Sequence, residues 1–128
     1  MAALTRAEID AVADSVIELV DVPEWKGHVF VRTMDGADRD AWEAYCLSAE
    51  GKMSRENFRA RLACATLCDE SGARMYSLKD APSLGLRNGR ALDRIFDAAV
   101  RLNGLGQKDI EELSKNSGSG PSAASGST

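Results

Sequence analysis

The residues with the best claim to chemistry in this sequence are one histidine, three cysteines and several runs of charge. A general base needs an oriented partner and a nucleophile nearby, and His28, set between Gly27 and Val29, has neither in its surroundings, so it reads as a surface histidine. Cys64 and Cys68 are four apart on a predicted helix and share a face. A zinc site would have to draw Cys46 and His28 in to reach four ligands, whereas packing as small apolar residues of an Ala-rich helix accounts for the thiols without further partners. Asp38, Asp40 and Glu43 are interleaved with Arg39 near a predicted helix start, where the helix dipole favours acidic residues, and are expected on a solvated face. Arg55, Arg59, Arg61, Arg87, Arg90, Arg94 and Arg101 look basic until Asp93 and Asp97 are counted. The spacings Arg90/Asp93 and Asp97/Arg101 predict exposed ion pairs along one helix and not a nucleic-acid patch. Gly104-Leu105-Gly106 lacks the strand-loop-helix context of a phosphate loop. No catalytic, metal-binding or cofactor-binding residue is assigned, and no enzyme activity or cofactor is expected.

Binding to another protein is the remaining chemistry. Trp25, at a predicted hairpin tip, is either folded back onto the sheet or offered to a partner. Ile110 and Leu113 are the apolar anchors of a short last helix over 107–114 and complete the candidate partner-binding set.

The elements that must carry these residues follow from periodicity. From Val29 to Met34 apolar and polar residues roughly alternate, as in a half-buried strand; from Ala37 the apolar positions become Ala41, Trp42, Tyr45, Cys46 and Ala49, a helical stripe. Asp35 is placed to cap that helix and Gly36 eases the change of direction. Upstream, Val16, Ile17, Val20 and Val22 are β-branched and apolar, and the turn residues Pro23 to Gly27 predict a hairpin with the following strand. Thr5 and Glu8 form a capping box, with Leu4 and Ile9 as staple, for a first helix over Arg6–Asp14. A third helix is predicted from a Ser54 cap to Cys68, after a stop at Glu50-Gly51-Lys52, and a third strand at Arg74–Ser77. The stretch 77–86 reads as a connection holding one helical turn, interrupted by Pro82 and Gly85. A further helix spans Arg90–Asn103, closed by Gly104 in the left-handed conformation with Leu105 touching Val100.

In 128 residues there is room for one small domain, here 1–115, followed at 116–128 by a Ser/Gly-rich tail or linker too polar to offset its own ordering entropy. Aromatics are only 5%, so the core must lean on aliphatic and Ala residues. A net charge of -4 argues against phosphate-backbone binding, the odd number of cysteines against a disulfide framework, and no apolar run suits a signal peptide or membrane span. The expected fold class is α+β: a small antiparallel sheet, hairpin plus third strand, packed by four to five helices.

In their order and spacing, Val22-Pro23-Glu24-Trp25, Val29 to Met34, Gly36 to Glu43, Leu102-Asn103-Gly104-Leu105 and Asp109 to Leu113 resemble the tail assembly chaperones of long-tailed bacteriophages over about Leu4–Lys115. The resemblance implies a non-enzymatic protein of the infected host bacterial cytoplasm, absent from the mature virion. It implies as partners the tape measure protein, kept soluble by the chaperone, the major tail (tube) protein and further copies of the chain as a homo-oligomer. A frameshifted longer form of the same protein is a further implied partner; no nucleic acid and no membrane is. Gly106 departs from the Ser or Thr expected before the last helix. The competing classes are a structural phage connector or tail terminator and a small intracellular protein-interaction adaptor.

Overall fold

A chain so poor in aromatics builds its core by bringing small residues close together, and one helix shows how. The computed structural model describes residues 2–47 and 54–106. Helix α3, Phe58–Thr66, buries Ala60, Leu62, Ala63, Cys64, Ala65 and Thr66, so it is covered on nearly every side. Its alanines let α5, Gly89–Leu102, α4, Ala81–Leu84, and α2, Gly36–Tyr45, approach it closely. The one polar side chain buried there, Thr66, donates its hydroxyl to the Leu62 carbonyl at 2.8 Å.

The hairpin forms as the periodicity requires. Strands β1, Ile17–Val22, and β2, Gly27–Arg32, pair antiparallel with Leu19 opposite Phe30 and Val20 opposite Val29. Pro23 opens a single 3₁₀ turn to Trp25, where its missing N–H costs nothing, and Lys26 closes it in the left-handed region at φ 55°. Val20, Val22, Val29 and Val31 turn to the side covered by α5, whose buried face is Ala91, Leu92, Ile95, Ala98 and Ala99.

The third strand lies elsewhere than the sequence suggests. Strand β3 is Leu67–Cys68, paired antiparallel with β2, while Arg74–Ser77 supplies only a bridge from Arg74 to Cys68 and a bond from the Met75 N–H to the Leu67 carbonyl at 3.2 Å. The helix expected to run to Cys68 therefore stops at Thr66, because pairing with β2 satisfies the backbone of two fully buried residues better than another helical turn would. Sheet order is β1-β2-β3, with β1 at an edge. Among the described residues the architecture is five helices and this three-stranded antiparallel sheet, a small α+β fold.

Helix boundaries show which local signals prevailed. Asp35 caps α2 through the Asp38 N–H at 2.7 Å, as expected, but α2 ends at Tyr45; the stop expected over 50–52 lies outside the described residues. Ser54 is not the cap of α3: its hydroxyl accepts only from the Glu56 N–H at 3.2 Å, and Asn57, at φ 53°, precedes the helix without a side-chain cap bond. Pro82 does not interrupt the connection but sits in the first turn of α4, where prolines are tolerated. Asn88 caps α5, accepting from the N–H groups of Arg90 and Ala91 at 2.9 and 3.1 Å. At its far end Gly104 takes φ 65°, and the Leu105 N–H reaches the Val100 carbonyl at 3.0 Å, the expected closure.

Candidate interaction surface

Of the three residues selected from the sequence for partner binding, Trp25 alone lies among the described residues. Trp25 is half-buried and packs against the core, the fold-back alternative. Ile110 and Leu113, and the tail 116–128, lie outside the described residues. His28 is exposed in β2, with its Nδ1 3.9 Å from an Asp21 carboxylate oxygen. Cys64 is in α3 and Cys68 in β3, so they share no helix face; all three thiols are free and buried. Burial raises their pKa values, that of Cys64 to about 11 with Asp80 adding to the effect, which leaves them neutral packing groups. No group of three metal-ligating side chains occurs among the described residues.

The charge runs are more structural than their spacing suggests. Asp38 is not on a solvated face: its carboxylate bridges Arg32 at 3.0 Å and Arg74 at 3.2 Å, and Arg32 also donates to the Ala65 carbonyl at 3.2 Å, tying β2, α2 and α3 together. The pairs expected within α5 do not form. Arg94 instead makes two bonds to Glu24, at 2.7 and 3.0 Å, Arg101 makes two to Glu18, and Asp93 pairs with Arg59, because neighbouring elements offer carboxylates in better geometry than the helix itself.

These two forks stitch α5 to the hairpin and set a pH dependence. Hydrogen bonds from Arg101 and Arg94 hold Glu18 and Glu24 below the usual carboxylate range. A group whose pKa is lower folded than unfolded gives stability above its unfolded value, about 4.3, and loses it as pH falls through the folded value. Unfolding by urea should therefore become easier as pH drops below about 4.5, and Glu24→Gln should flatten that dependence.

The surface that the sequence did not single out is apolar. Helix α1, Arg6–Asp10, is closed by the expected capping box, the Glu8 N–H on the Thr5 hydroxyl at 3.2 Å and the Thr5 N–H on Glu8 at 2.8 Å. It ends at Asp10, earlier than expected, and buries no residue. Leu4, Ile9, Val12 and Val16 are all at least half exposed, and Ile17 and Leu19 continue the exposed apolar series along the outer face of β1. The compositional sign was present, since the capping box introduces apolar residues, but only the fold shows that nothing in the described chain covers them. Between β1 and α5 an open groove of about 370 Å³ is lined by Glu18 to Asp21 and by Arg94, Asp97, Ala98 and Arg101.

Among the described residues, then, the molecule is a small α+β fold with an apolar N-terminal arm exposed, β1 at the sheet edge and its thiols buried. The chain belongs to the phage tail assembly chaperone family, whose model matches residues 6–116. The solved structure of the bacteriophage HK97 tail assembly chaperone shares the fold, with a TM-score of 0.54 and 21% identity over 75% of this chain and 88% of that one. No curated protein matches the chain.

Proposed function

We propose that this chaperone binds the tape measure protein, keeps it soluble and helps recruit tail tube subunits, without enzymatic activity, in the host cytoplasm and outside the mature virion. The observation that carries this reading is the N-terminal arm, in which Leu4, Ile9, Val12 and Val16 are exposed around a helix too short to be stable alone in water. A run of exposed apolar side chains so close together in the chain supports reading this arm as an interaction site. Many copies, each holding a long apolar partner weakly, give a coat whose strength is avidity, and self-association of the chain serves the same end.

Coexpression of the full chain with the tape measure protein of the same phage tests the reading. The tape measure protein should be found in the soluble fraction with the wild-type chain, and an Ile9→Asp, Val12→Asp variant should lower that amount about tenfold while its own thermal unfolding stays unchanged, since both side chains are exposed. Equal insolubility with and without the chaperone, or chaperone subunits in purified particles, would overturn the proposal.

A further inference from the structure

We infer that the exposed apolar arm and the start of β1 take a cationic amphipathic segment of a partner polypeptide, one that sets lysines and arginines beside its own apolar side chains. The inference deepens the function proposed above and rests on it only for the partner's name, the tape measure protein.

The charge of the chain is not spread evenly. Residues 1–21 hold five carboxylates, Glu8, Asp10, Asp14, Glu18 and Asp21, against one basic side chain, Arg6, a balance of -4. That equals the net charge of the whole chain, so 22–128 hold as many basic as acidic side chains. The same stretch exposes Leu4, Ile9, Val12, Val16, Ile17 and Leu19, and every one of its carboxylates lies one or two residues from one of these.

Little of this charge is neutralised within the described residues. Arg6 reaches Asp10 at 3.6 Å on an open surface, and Arg101 holds Glu18. Asp14 and Asp21 have no Lys or Arg within ion-pair distance among the described residues; Asp21 has only His28, 3.9 Å away. Asp97, on the wall of the groove beside β1, likewise has no basic partner there.

Strand geometry carries the pattern from the arm into the sheet. The Val16 carbonyl, accepting from the Thr33 N–H at 2.9 Å, ties the end of the arm to β2, and from there side chains alternate along β1. Glu18, Val20 and Val22 turn toward α5, so Ile17, Leu19 and Asp21 share the exposed face. A segment lying along it meets apolar surface and negative charge together.

Selectivity follows from that mixture. Apolar contact alone would hold any amphipathic segment, but apolar contact set among uncompensated carboxylates speeds the encounter with a cationic one and repels an acidic one. Single exposed ion pairs are weak, so the discrimination comes from several acting at once.

Two synthetic amphipathic peptides of about 18 residues test this with the full-length chain; they share one leucine stripe and carry either lysine or glutamate on the polar face. By fluorescence anisotropy at low salt the lysine peptide should bind about tenfold tighter or more, and the ratio should fall toward one at about 1 M salt, where charges are screened beyond about 3 Å. Asp10→Lys combined with Asp14→Lys should remove most of the preference with circular dichroism unchanged, both side chains being exposed. Glu56→Lys combined with Glu70→Lys makes the same change of net charge at exposed positions elsewhere and should leave the preference in place. Equal affinity for the two peptides, binding of neither, or equal effects of the two double variants would each overturn the inference. A chain that prefers the lysine peptide but leaves the tape measure protein insoluble would overturn the function proposed above and not this preference, so the two fail separately.

Discussion

Trp42→Ala should cost about 3–5 kcal/mol, the largest single loss expected in this chain. Trp42, in α2, is fully buried, with the ring of Phe58 6.5 Å away and that of Phe96 5.5 Å from Phe58, so its removal empties one end of the aromatic cluster. Much of the surrounding core is alanine and short aliphatic side chains, which fill a void of that size poorly. A small domain is stable by about 5–15 kcal/mol, so the variant should be partly unfolded near body temperature. Urea unfolding followed through Trp25, the tryptophan that remains, should show a lower midpoint at an unchanged slope. Trp42→Phe separates volume from polarity. The indole Nε1 is buried with no hydrogen-bond partner, and phenylalanine removes that unmatched donor, so this variant should lose less than half as much. Equal losses for the two substitutions would mean that the indole is bonded in solution.

Asn103→Leu should cost about 2–3 kcal/mol although the side chain keeps nearly the same volume. The Asn103 Oδ1 accepts from the Met34 N–H at 2.6 Å, and its Nδ2 donates to the Ala99 carbonyl at 2.9 Å and the Arg32 carbonyl at 3.4 Å. One amide thus ties the end of α5 to the end of β2, just where the chain leaves the strand for α2. Leucine leaves a half-buried N–H and two carbonyls without these partners, and the loss is desolvation more than packing. Hydrogen exchange gives a local check: the Met34 amide should lose protection in the variant by more than the global change in stability accounts for. If Met34 kept its wild-type protection, the amide would not be the tie described.

The periodicity of Val29 to Met34 and of Ala41 to Cys46 was enough to locate the hairpin's second strand and the helix after it, since burial of alternate or every third and fourth residue is written into the sequence by the fold's own geometry. Capping was legible for the same reason: Thr5 with Glu8, Asp35, and Gly104 with Leu105 act within one turn of chain. Where a long-range partner competed with a local one, local reasoning failed. Leu67 and Cys68 continue a helical pattern, yet β2 offers them a ladder. Arg101 has Asp97 four residues before it but binds Glu18 from across the fold.

By itself the sequence determined the α+β class, the hairpin, most helix starts and a likeness to tail assembly chaperones, because each depends on composition or on contacts within a few residues. Only the tertiary structure decided that Trp25 turns inward, that α1 buries none of its residues, that Asp38 joins three elements and that β1 is an edge strand among the described residues. Exposure is a property of where neighbours end up, and apolar residues such as Leu4, Ile9 and Leu19 carry no mark of whether the fold will cover them.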